Sequence, residues 1–125
     1  MADDRPLAGL RILIVEDNLF AAMELEDTVL RLGGEPVGPV SRIDQGMDLA
    51  RREPLDGALL DVDLRGELVF PLADVLESRN VAIIFASGYE PAQVFPDRFA
   101  NHPRLRKPYL ERDLVRRMTA VFARD

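Results

Sequence analysis

Along this chain, apolar residues follow two alternating rhythms. Leu10 to Val15 (interrupted by Arg11), Ala58 to Leu60 and Val81 to Ala86 are short apolar runs. Runs of that length predict strands covered on both faces, as in a parallel sheet. Between them, apolar positions step by three and four. Ala22, Leu25, Val29 and Leu32 form one such set, stopped by Gly33-Gly34. Ile43, Met47 and Ala50 form a second, and Leu72, Val75 and Leu76 a third. The last set is Leu110, Leu114, Met118 and Val121, with Arg112, Arg116 and Arg117 towards water.

Two weaker strands complete the pattern. Val37 to Val40 lies among Pro36 and Pro39, whose missing N–H groups confine it to an edge. A short stretch around Leu105, flanked by charge, predicts the opposite edge. Strand–helix alternation repeated about five times gives a doubly wound α/β fold. Right-handed crossovers and a proline-bearing second strand at the edge favour the order 2-1-3-4-5. The expected architecture is therefore a five-stranded parallel sheet of the flavodoxin-like (βα)5 type. It forms a single domain over residues 1–125, with residues 1–8 loosely ordered.

Composition narrows the chemistry. A chain of 125 residues supports one core and no second domain. No apolar run approaches the roughly 20 residues of a membrane span, and Met1-Ala2-Asp3-Asp4 is acidic, unlike a signal peptide. No membrane insertion is expected. There is no cysteine, which excludes disulfides, zinc–thiolate sites and thiol nucleophiles and fits a cytoplasmic protein. The net charge of −6 argues against a nucleic-acid surface. The one basic cluster, Arg104, Arg106 and Lys107 followed by Arg112, Arg116 and Arg117, reads as a short strand and the solvated face of a helix.

In doubly wound folds, ligands bind beyond the carboxyl ends of the strands. The first strand ends in Glu16-Asp17, the third in Asp61-Val62-Asp63, the fourth in Ser87-Gly88 and the fifth in Lys107-Pro108. Acids, a hydroxyl and an ammonium thus converge on one sheet edge. Close carboxylates raise one another's pKa unless a cation neutralises them. With oxygen ligands alone, that cation is a hard one, and a partly hydrated Mg²⁺ fits best. A carboxylate beside such an ion, a hydroxyl and a lysine is equipped for phosphoryl transfer. Of sixteen basic residues only Lys107 is lysine, a compact point charge that arginine does not replace. Each residue also has a plainer reading: Asp17 or Asn18 as a helix cap, Asp61 as a turn residue, Ser87-Gly88 as a turn. The combination, at intervals of 44, 26 and 20 residues from Asp17 to Asp61, Ser87 and Lys107, favours the chemical reading.

These residues resemble the receiver domain of two-component response regulators, over about Leu10 to Arg124. The resemblance implies that Asp61 is the phosphoacceptor, that Asp17 touches Mg²⁺ directly and Glu16 through water, and that the Val62 carbonyl is a further metal ligand. It makes Ser87 the switch hydroxyl and Lys107 the partner of the phosphoryl group, and it implies a cis Lys107–Pro108 bond. The phosphoryl donor would be a histidine kinase or a histidine phosphotransfer protein. The chain's sole histidine, His102, lies in a loop and is not required.

Three positions depart from the usual pattern. Arg104 stands where most receivers carry an aromatic switch residue. An aromatic appears instead at Tyr89, in Phe85-Ala86-Ser87-Gly88-Tyr89, which is similar to a subfamily of stand-alone bacterial receivers with Phe-Ala-Thr-Gly-aromatic at that place. Tyr89 is expected to take over the reporter role. Asp63 adds a carboxylate near the acceptor, either strengthening metal binding or shortening the phosphoryl lifetime. No output domain is expected after the last helix, so the signal would leave for an unidentified downstream protein through the face around the fourth helix and fifth strand.

Two rival readings remain. Asp61-Val62-Asp63 matches the Asp-x-Asp motif of haloacid-dehalogenase-type phosphatases, but that motif belongs on a first strand and needs a later acidic motif. A receiver-like interaction module that works without phosphate is the other, and the full acid, serine and lysine set counts against it.

Overall fold

The computed structural model describes residues 4–88, 90 and 92–123. Five strands form one parallel sheet: β1 (Arg11–Val15), β2 (Glu35–Val40), β3 (Gly57–Asp61), β6 (Ala82–Ser87) and β7 (Arg104–Arg106), in the order β2-β1-β3-β6-β7. The intervening β4 (Asp63–Leu64) and β5 (Glu67–Leu68) make a separate two-stranded hairpin. Setting the hairpin aside, the order is the expected 2-1-3-4-5, with the proline-bearing β2 at one edge and β7 at the other.

Helices α1 (Leu19–Arg31), α2 (Ile43–Arg52), α3 (Phe70–Ser78) and α4 (Glu111–Phe122) cover the sheet. Side chains alternate across a strand, so β1 serves two cores. Ile12 and Ile14 pack with Leu25 and Val29 of α1 and Leu114, Met118 and Phe122 of α4. Leu13 and Val15 pack with Ile43 and Ala50 of α2 and Phe70, Leu72 and Leu76 of α3. Every residue of β3 is buried, which accounts for its unbroken apolar run up to Asp61.

Three expectations need correction. The crossover between β6 and β7 holds no α-helix among the described residues. Two 3₁₀ turns stand there, Ala92–Val94 and Asp97–Phe99. Pro91, Pro96 and Pro103 fall within this segment, and each removes a helical donor. Second, the start of the chain is not loose as far as residue 8. Leu7 is fully buried among Leu10, Val29 and Leu32, and its N–H donates to the Leu32 carbonyl at 2.9 Å. Third, the buried stripe of α4 is Leu114, Met118 and Phe122, whereas Leu110 is exposed as the N-cap.

Candidate functional site

Register decides what meets at the carboxyl end of the sheet. Val15 pairs with Leu60, so Glu16 and Asp61 emerge side by side. Ser87 pairs with Arg106, and the Lys107 N–H donates to the Ser87 carbonyl at 2.7 Å, which brings Lys107 to the end of β6. Asn18 caps α1, its side-chain oxygen accepting from the Ala21 N–H at 2.9 Å. The cap is therefore Asn18, and the Asp17 carboxylate belongs to the site.

Glu16, Asp17 and Asp61 each offer a carboxylate oxygen, and these oxygens lie within 4.8 Å of one another. Glu16 and Asp61 are 2% and 7% exposed, unusual for unneutralised acids. The Lys107 Nζ donates to Glu16 Oε2 at 3.0 Å and sits 3.5 Å from Asp61 Oδ1. Burial pushes the Asp61 carboxyl up to about 8, the Glu16 charge adds to the rise, and the Lys107 ammonium opposes it. Burial alone would lower Lys107, but its hydrogen bond to Glu16 and the charges of Glu16 and Asp61 hold it above the ordinary lysine value. The group thus carries more negative charge than one ammonium balances. An all-oxygen donor set of this kind fits a hard divalent cation such as Mg²⁺.

Of the residues singled out from sequence, Glu16, Asp17, Asp61 and Lys107 come together. Ser87 is buried at the end of β6, and it is the next residue, Gly88, that lines the pocket over Asp61 with Asp63, Arg65, Gly66, Glu90 and Lys107. The Lys107–Pro108 bond is cis, as is Gly38–Pro39. The Val62 carbonyl, expected as a metal ligand, accepts the Val69 N–H at 3.0 Å and so closes the segment that carries the hairpin. Asp63 stands outside the carboxylate group; its Oδ1 accepts the Gly66 N–H at 2.6 Å across the hairpin turn. Arg104 stacks on Phe95, with its guanidinium carbon 3.7 Å from the ring centroid, and donates to the Ala100 carbonyl at 2.8 Å. It ties the 3₁₀ segment to β7. Tyr89 lies outside the described residues.

The sequence is similar to SdrG from Sphingomonas melonis Fr1, at 34% identity over 96% of this chain and 98% of that one, with a TM-score of 0.78. A response regulator receiver protein from Sinorhizobium medicae WSM419 shares the fold at 19% identity, covering 89% of this chain and 92% of that one, with a TM-score of 0.75. The chain belongs to the receiver-domain family of response regulators. A further match to this receiver domain is the BeF3-activated conformation of SdrG from Pseudomonas melonis Fr1, at 33% identity over 90% of this chain and 96% of that one, with a TM-score of 0.73. No protein-family model and no curated protein matches it.

Two site residues escaped the sequence reading. The Arg65 Nε lies 3.7 Å from Asp17 Oδ2. Arg65 and Gly66 form the two-residue turn between β4 and β5 with φ of 56° and 90°, the conformation of a primed hairpin turn. The Arg-Gly pair was the available signal, hidden because the flanking strands are only two residues each. Glu90 bonds Gly88 through a loop path that no periodicity encodes.

Proposed function

We propose that this receiver domain accepts a phosphoryl group on Asp61 from a phosphohistidine of a histidine kinase or histidine phosphotransfer protein, with Mg²⁺ held by Glu16, Asp17 and Asp61. The observation that carries this reading is the Lys107 ammonium 3.5 Å from Asp61, beside a group of three carboxylates. An Asp61 oxygen forms the new O–P bond while the P–N bond of the donor breaks. The electron pair stays on the imidazole, which then takes up a proton. When bound, the ion supplies positive charge against the phosphoryl oxygens. Lys107 contributes a second positive charge beside Asp61, and the Ser87 hydroxyl closes on the product. Besides holding the ion, Glu16 positions its neighbours: its Oε2 aims the ammonium, and its Oε1 accepts the Asn18 N–H at 3.1 Å.

A protein donor is favoured over a small ester by the apolar rim. Leu19 and Met23 are exposed at the start of α1 and line the same groove as Glu16 and Asp17, with Phe20 beside them. Exposed apolar clusters of this kind mark protein contacts. The signal then leaves through the face made by the 3₁₀ segment and β7. No helix among the described residues is long and apolar enough to cross a membrane.

The test is beryllofluoride with Mg²⁺, followed by amide resonances. Shifts at Asp61, Ser87 and Gly88 that need both components, and vanish in Asp61→Asn, are the expected result. An unperturbed spectrum would refute phosphoacceptor chemistry.

A further inference from the structure

Several hydrogen-bond donors around the pocket above Asp61 are engaged by the protein's own carboxylates. Lys107 is held by Glu16, Arg65 faces Asp17, the Gly66 N–H is held by Asp63, and the Gly88 N–H donates to Glu90 Oε2 at 2.6 Å. A phosphoryl group brings three oxygens into this pocket and needs such donors. One of the internal pairings differs from the rest. The other Glu90 oxygen, Oε1, is buried with no hydrogen-bond partner. A buried carboxylate oxygen left unsatisfied is unfavourable, so this carboxylate is poorly held where it sits. It also sits tightly: a β-carbon placed on Gly88 would lie 3.2 Å from Glu90 Oε2.

We propose that Glu90 is an internal competitor for the anion-binding corner of the Asp61 pocket. Its carboxylate occupies the Gly88 amide in the unphosphorylated protein and leaves when the phosphoryl oxygens arrive. Two like charges at one donor exclude each other, so the exchange is obligatory. Glu90 lies two residues before the 3₁₀ segment, so its release frees the approach to that segment at the moment Asp61 is modified. The pairing therefore sets a threshold for occupancy and passes the event to the neighbouring surface. This rests on the reading of Asp61 as the phosphoacceptor.

The experiment titrates Mg²⁺-saturated wild type, Glu90→Ala and Glu90→Gln with beryllofluoride, followed by NMR. Removing the competitor should tighten beryllofluoride binding about tenfold in Glu90→Ala. A smaller gain is expected in Glu90→Gln, which loses the charge but keeps an acceptor and the shape. In ligand-free protein the Gly88 amide proton should move upfield in Glu90→Ala, as the short bond to a carboxylate is lost. Affinity for Mg²⁺ alone should stay within about twofold. Beryllofluoride affinities equal across the three proteins, or a Gly88 amide indifferent to Glu90→Ala, would overturn the proposal. So would a Mg²⁺ affinity that rises as much as the beryllofluoride affinity, since a general charge effect would then suffice. If wild type and both variants alike form no adduct, the phosphoacceptor reading itself fails and the competitor has nothing to compete with.

Discussion

At the scale of single residues, Asp61 is a buried acid whose surroundings oppose its charge when no cation is present. Its folded pKa of about 8 lies above the ordinary 3.8 because burial and Glu16 outweigh Lys107. The sign follows from linkage: a group with a raised folded pKa contributes stability that is complete below its unfolded pKa and is lost as pH rises through the folded one. Metal-free protein should therefore lose stability between about pH 4 and 8 on account of Asp61, by at most about 1.4 kcal/mol per pH unit. Asp61→Asn should flatten that slope, and Mg²⁺ should restore stability at the alkaline end. Denaturant unfolding of both proteins in chelator across this range measures it; parallel slopes would count against the assignment. Asp17, Asp61 and Lys107 were legible because strand ends fix their positions. The bond between the Val62 carbonyl and the Val69 N–H was not legible because it depends on a hairpin the sequence barely signals, and Glu90 was invisible because a loop brings it in.

At the scale of elements, the segment between β6 and β7 departs most from expectation. Simple alternation calls for a helix there, and the three prolines prevent one. Phe95 and Phe99 anchor the segment in the core beside Phe70 and Phe85, with ring centroids 5.2 to 5.9 Å apart. Arg104 covers Phe95 from the β7 side, so the position where other receivers carry an aromatic serves here as a clamp. Arg104→Ala should cost about 0.5–2 kcal/mol, the range of a cation–π pair. It should also speed amide exchange in residues 92–100 more than elsewhere. Uniform exchange across the chain would show that Arg104 does not hold this segment. The strands were easier to read than this crossover. Burial on both faces leaves β1, β3 and β6 apolar up to the terminal Asp61 and Ser87, apart from Arg11, whose side chain reaches outward to Glu53.

At the scale of the whole molecule, the sheet brings distant parts of the chain to one end, and the cost of doing so is concentrated charge. Three carboxylates share a buried corner with one ammonium in a chain of net charge −6. Such a site makes physical sense if it is completed by a cation and a transferable phosphoryl group, and the receiver-family fold supports that use. The overall topology could be read from periodicity alone, because two-sided burial fixes the sheet and the prolines of β2 fix an edge. The coupling proposed between the site and the outer surface could not, since it rests on the 3₁₀ segment and Glu90, which no periodicity encodes. The most direct test of the central claim is phosphotransfer from a phosphorylated histidine kinase of the host to this chain, with the modified residue mapped by mass spectrometry. The account predicts rapid, Mg²⁺-dependent labelling at Asp61 that is lost in Asp61→Asn. Labelling that persists in Asp61→Asn, or none with any of the host's kinases, would contradict it.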